Sequence, residues 1–257
     1  MQYRAATDLV RPNIARQIDR ASRNIAKTPE TAAIRAQALT TLSNQAARVQ
    51  RKDFALKSAR EATSLSANLT GSDAKAIRAR AAIATSHALT LKRDFLEASR
   101  TIVAARLAYG PLVTDTDIVW DELLLWQTIA KASAPQFLAD QIEALSLSDE
   151  AAGALFGAKA QLCGDSITGF ERNPEVGLEP VYPVMSLFSE LQGGVVMRSQ
   201  LGVDGKVIST RATAFAPTDG FAAAAENAVP TWSYKVPADT PARCRENVLT
   251  LLAFKIG

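Results

Sequence analysis

Few side chains in this sequence could move a proton or attack a bond. The single histidine is His87, in the middle of a helical stretch, where such a residue ordinarily serves structure or faces solvent. No local motif supplies a histidine base to either cysteine, Cys163 or Cys244. Asp115, Asp117, Asp121 and Glu122 form one acidic cluster. Asp117 and Asp121 share a helix face, but a calcium loop needs a glycine turn and a distal bidentate glutamate, and Trp120 occupies the turn region. Asp115 reads instead as a helix N-cap, with Asp117 favourable in the first turn. Two cysteines 81 positions apart and one histidine make a poor zinc set. Neither a GxSxG elbow, a GxxxxGK[ST] loop nor a GxGxxG fingerprint occurs. No catalytic residue, metal ligand or cofactor is therefore assigned, and the chain reads as non-enzymatic.

Composition bounds the class of chain. The 257 residues are 47% hydrophobic and 21% charged, which suits a folded chain with ample core material. The net charge of +3 hides an asymmetry: residues 1–106 hold 19 Lys and Arg against 8 Asp and Glu, and residues 107–161 hold 2 against 8. A basic helical half could meet an anionic partner, although solvated helix faces explain the same counts. Aromatic residues are not interleaved with the basic ones, so no nucleic-acid partner is expected. No run reaches the roughly 18 apolar residues of a membrane span. The first twenty residues lack a signal-peptide pattern, so the chain is read as cytosolic or as a mature or truncated piece.

The elements that must position any site fall in two groups. Val10, Ile14, Ile18, Ala21 and Ile25 recur at helical spacing, and further helices are predicted over about 31–49, 52–68, 73–91 and 94–109. "KDFALKSAREA" and "RDFLEASRTIVAA" open the second helix of each pair alike, with Asp53-Phe54 and Asp94-Phe95 41 residues apart. That spacing predicts two helix-turn-helix repeats of a degenerate tetratricopeptide type. Helix continues through 117–161, with Ile118, Leu123, Trp126 and Ile129 as its apolar side. Eleven of 13 glycines lie beyond residue 150, and the breaker-rich stretch 162–179 reads as a linker. The expected domains are thus an α-helical repeat domain over 1–161 and a small β-containing domain over 180–257, an α+β two-domain chain.

The second group begins with a hairpin. Val195, Met197, Leu201 and Val203 alternate with Val196, Arg198, Gln200 and Gly202. Asp204-Gly205 predicts a two-residue type I′ loop that pairs Val203 with Lys206, Leu201 with Ile208 and Met197 with Ala212. A short helix over 218–229, stopped by Pro230, offers Phe221, Ala224, Ala225, Ala228 and Val229 as a cover for one sheet face. A last strand over 246–256 completes a ββαβ order, and the crossover places it beside the first strand, in the order 2-1-3.

This segment resembles the C-terminal domain of TonB-type proteins. The resemblance rests on Pro180, Tyr182 and Pro183, on Gly193-Gly194-Val195, on Asp204-Gly205-Lys206-Val207, on Phe221 with Ala224-Ala225, and on the run from Ala228 to Tyr234 that contains Trp232. It covers about the last third of the chain. The resemblance implies a periplasmic location, with a possible inner-membrane anchor supplied by an upstream segment, and an energy-transducer-like role. It also implies an edge strand that pairs with an extended segment of an outer-membrane receptor. Neither the family's membrane helix nor its long proline-rich spacer is found in this sequence.

Two expectations follow for particular residues. In a 2-1-3 sheet the last strand lies at an edge, so Asn247, Val248, Leu249, Thr250, Leu251, Leu252, Ala253, Phe254 and Lys255 are the expected partner-binding residues, by β-augmentation. The other edge carries Lys206 and Arg211, which discourage pairing. A Cys163–Cys244 disulfide is expected to tie the two domains, provided the Cα atoms lie within about 7 Å. The competing readings are an enzyme subunit with an unrecognised site and a cytosolic helical-repeat adaptor. The helical domain's own protein partner is left unassigned.

Overall fold

The computed structural model describes residues 20, 28, 31–71, 73–110, 117–145, 163 and 170–256. The helix expected over residues 10–25 lies outside them, except for residue 20. The chain is α+β and divides into two compact units, Met1–Tyr109 and Gly110–Gly257. The expected boundary lay in the glycine-rich stretch 162–179, about fifty residues further on.

The first unit contains α1 (Ala32–Arg48), α2 (Lys52–Ala67), α3 (Ala74–Leu91) and α4 (Phe95–Tyr109), each packed on its neighbour in sequence. Alanine makes this close packing possible: Ala36, Ala55, Ala59, Ala62, Ala81, Ala88 and Ala98 are all fully buried. Ser43 donates its hydroxyl to the Ala55 carbonyl at 2.9 Å, and Ser86 donates to the Ala98 carbonyl at 3.1 Å. These two bonds are equivalent, and they lie 43 residues apart. The turns repeat with the same offset. Gln50 and Arg93 take left-handed φ values of 59° and 64°. Arg51 N–H donates to the Ala46 carbonyl and Asp94 N–H to the Leu89 carbonyl, at 2.9 and 3.0 Å. These are the bonds of a Schellman helix stop, with a non-glycine residue at its left-handed position. The Asp-Phe match read from the sequence is therefore two residues out of structural phase. The repeat is also longer than the roughly 34 residues of tetratricopeptide arrays. Asp53 meets Lys92 across the two turns.

The second unit holds α5 (Ile118–Ser133), the short α6 (Ala139–Ala144) and α7 (Val184–Phe188), then β1 (Gly193–Leu201), β2 (Val207–Ala216), α8 (Asp219–Ala228) and β3 (Val248–Phe254). The sheet is antiparallel in the order β2-β1-β3. On one face Val195, Met197 and Leu201 of β1 pack with Phe221 and Ala225 of α8 and with Val248 and Phe254 of β3. The Tyr182 ring meets Phe221 and Phe254 edge-on, with centroids 5.7 and 5.8 Å away.

The opposite face is covered too, by α5. A Cβ placed on Gly194 would lie 3.1 Å from Leu125 and from Ile129. Asp121, Leu125 and Ile129 therefore form the stripe that lies on the sheet, spaced at i, i+4 and i+8. Ile118, expected in the apolar stripe, is exposed, and Trp126 is half-buried. The reason is that α5 turns a carboxylate, Asp121, toward the sheet. Asp117, not Asp115, is the N-cap: its Oδ1 accepts from the Val119 and Trp120 N–H groups at 2.9 and 3.2 Å. Asp115 lies outside the described residues.

The hairpin turn also differs from expectation. Gly205 N–H donates to the Gly202 carbonyl at 3.1 Å, and Gly202 N–H donates to the Lys206 carbonyl at 2.8 Å. Only Gly205, with φ of 77°, is left-handed in this turn. A type I′ pair needs two such residues, so the loop has three residues and ends in a glycine bulge. Leu201 accordingly pairs with Val207 rather than Ile208, while Met197 pairs with Ala212.

Candidate functional site

β3 forms one edge of the sheet. Of the nine residues expected there, Val248 to Phe254 are in the strand; Asn247 precedes it in a left-handed turn with φ of 51°, and Lys255 follows it. Side chains alternate along the strand as its pairing with β1 requires. Val248, Thr250, Leu252 and Phe254 lie on the α8 face, opposite Ser199, Met197, Val195 and Gly193. Leu249, Leu251 and Ala253 lie on the α5 face. Leu249 is buried there, whereas Leu251 and Ala253 are exposed. On the α8 face the Thr250 hydroxyl is 2.9 Å from that of Tyr234. Burial raises the Tyr234 pKa above its ordinary value, a shift that this hydrogen bond partly offsets.

The two edges are not equivalent. Among the described residues, no backbone N–H or C=O of Val248–Phe254 has a hydrogen-bond partner outside β1. The β2 edge, by contrast, is partly closed. Tyr234 N–H donates to the Gly205 carbonyl at 2.9 Å, and Val207 N–H donates to the Trp232 carbonyl at 3.4 Å. The same segment carries a further layer, because Asn173 N–H donates to the Ser233 carbonyl and Lys235 N–H to the Glu171 carbonyl, at 2.9 and 2.8 Å. Further along, Glu226 of α8 accepts from Ala212 N–H at 3.2 Å. The indole of Trp232 anchors this cover by donating to the Leu178 carbonyl at 2.6 Å, beneath the Arg172 guanidinium 3.8 Å from its ring centroid.

Sequence reasoning missed the polar cluster under β1. Arg198 and Asp121 are 6% and 1% exposed and form an ion pair. Arg198 Nε donates to Asp121 Oδ2 at 3.2 Å, and Nη2 donates to Oδ1. Thr213 Oγ1 donates to Asp121 Oδ2 at 2.6 Å. Thr213 reaches it because Val196 pairs with Ala214 but Met197 with Ala212, which leaves Thr213 as the extra residue of a β-bulge. The third guanidinium nitrogen, Nη1, donates to the Asn247 carbonyl at 3.2 Å. A signal was present in the sequence: Arg198 directly follows the apolar run Val195-Val196-Met197 in β1. Nothing local identified its partner, 77 residues away.

Cys163 and Cys244 are joined in a disulfide with Cα atoms 5.5 Å apart. Both belong to the second unit, so the bridge closes a loop within it and does not tie the two units together. Such a bond is consistent with an oxidising, extracytoplasmic compartment. Among the described residues no helix is long and apolar enough to cross a membrane, and no three His, Cys, Asp or Glu side chains converge as a metal site would require. Asp117 and Asp121 are engaged as cap and ion pair. His87 is half-buried in α3, and its pKa is pushed down to about 4, first by burial and then by the charge of Arg48.

Comparisons with known protein families, characterised proteins and solved structures return no match to this chain.

Proposed function

We propose that this chain is a non-enzymatic interaction protein whose second unit captures an extended segment of an outer-membrane receptor by strand addition along β3. The observation that supports this reading is the asymmetry of the sheet. The β2 edge has backbone and side-chain partners at Gly205, Val207 and Ala212, while the β3 edge has none among the described residues. Both sheet faces are covered near β1, so the open edge is where the sheet offers main-chain bonds to another chain. In this reading the unit is a TonB-like module of the periplasm, in keeping with the disulfide, and the first unit is a tetratricopeptide-like scaffold for a second protein. Main-chain bonds supply much of the affinity, so single side-chain truncations at Leu251 or Ala253 weaken binding only modestly.

The test uses ten-residue peptides tiling the extended periplasmic segments of outer-membrane receptors, titrated into isotopically labelled protein. Amide shifts concentrated in Val248–Phe254 and the adjacent residues of β1 support the reading. Shifts confined to β2 or to the helical unit, or no shifts at millimolar peptide, overturn it.

A further inference from the structure

We propose that Arg198 is a positioning residue for the β3 edge, holding its register through the Asn247 carbonyl; its consequence for binding rests on the strand-addition reading above. The buried ion pair poses an energetic puzzle. Two charges that are 6% and 1% exposed lose most of their hydration, and apolar pairs of similar volume commonly stabilise a core as well or better. Net stability is thus a weak reason for this pair. Its geometry supplies another. Two nitrogens of the guanidinium are held by Asp121 of α5, which Thr213 fixes from the β2 bulge. The remaining arm reaches the Asn247 carbonyl, at the left-handed residue that turns the chain into β3.

The position of that contact matters. Arg198 stands opposite Leu249 in the β1–β3 ladder, so its bond to Asn247 lies two residues upstream of its own cross-strand partner. A slip of β3 by one residue would break this bond and exchange the two faces of the strand. Thr250 and Leu252 would turn toward α5, and Leu251 and Ala253 toward α8. An edge strand has only one neighbour to oppose such a slip. Arg198 therefore fixes which N–H and C=O groups of β3 face outward, without itself touching an added strand.

Amide hydrogen exchange on the full chain tests this without any ligand. Arg198→Lys keeps a cation beside Asp121 but removes the forked reach to Asn247. The expected result is exchange about 10-fold faster for those amides of Val248–Phe254 that bond to β1, with amides of β2 and α8 little changed. Wild-type protection of β3 in a folded R198K protein would overturn the proposal. So would equal acceleration of β2, β3 and α8, which marks general support of the fold. Should R198K not fold, the apolar pair Asp121→Leu with Arg198→Met leaves no charge uncompensated and carries the same expectation. The receptor peptides separate the two readings. Loosened β3 amides with unchanged peptide affinity sink strand addition at this edge and leave the positioning role standing, whereas β3 amides protected as in wild type sink the positioning role alone.

Discussion

Replacing Gly205 tests whether the hairpin turn needs a glycine for its backbone angle or for space. Its φ of 77° is left-handed, a conformation that costs an ordinary L-residue about 1–2 kcal/mol. Space is the harsher constraint. A Cβ at this position would lie 1.9 Å from the Tyr234 carbonyl oxygen and 3.0 Å from its carbon. Those are backbone atoms, so no side chain can rotate away. Relief requires the 233–235 segment to withdraw, which breaks the 2.9 Å bond from Tyr234 N–H to the Gly205 carbonyl. A broken buried backbone bond costs about 1–3 kcal/mol. Gly205→Ala is therefore expected to destabilise the second unit by about 2–5 kcal/mol when both costs are present. Gly205→Asn separates them, because asparagine tolerates left-handed angles but still carries a Cβ. It is expected to recover no more than about 1 kcal/mol of the loss. The assay is urea unfolding followed by tryptophan fluorescence, since Trp232 sits in the segment that must move. An asparagine variant within about 1 kcal/mol of wild type would refute the steric argument, leaving the angle as the whole requirement.

Three other perturbations have defined outcomes. His87 has a folded-state pKa of about 4, below its ordinary 6.5, so the unfolded chain binds the extra proton. Its contribution is present above pH about 6.5 and is lost as pH falls toward about 4, by up to about 3 kcal/mol; subtracting the pH–stability profile of His87→Gln from that of wild type isolates this, and superimposable profiles would refute it. Gln50→Gly and Arg93→Gly relieve left-handed angles of 59° and 64° at helix stops and are each expected to raise stability by up to about 1 kcal/mol, read as an upward shift in the urea midpoint; a fall at both sites contradicts the assignment. Cys163→Ala with Cys244→Ala opens a closure spanning 81 positions and is expected to lower stability by at most about 4.5 kcal/mol; an unchanged midpoint against oxidised wild type would refute a stabilising bridge.

The sequence by itself determined the elements whose signals are local. Alternating apolar residues at 195–201, the Asp204-Gly205 turn and the Phe221–Ala225 stripe specify a hairpin and a covering helix, and the crossover then places β3 beside β1. The helices of the first unit were legible in their spacing of alanine and leucine. Their repeat length was not, because Gln50 and Arg93 stop two helices without the glycine that usually marks such a stop. Tertiary structure alone decided where α5 goes. In the sequence Asp121 is one member of an acidic cluster; in the structure Arg198 and Thr213 meet it from the sheet. Tertiary structure likewise decided that the β2 edge is partly covered, since Trp232 and Tyr234 bond Val207 and Gly205 through main-chain atoms whose positions no side-chain pattern encodes. Turn chemistry and hydrophobic period act over a few residues, so they can be read in order along the chain. A buried ion pair, a backbone clash at Gly205 and an edge closed by a distant segment depend on groups that only folding brings together.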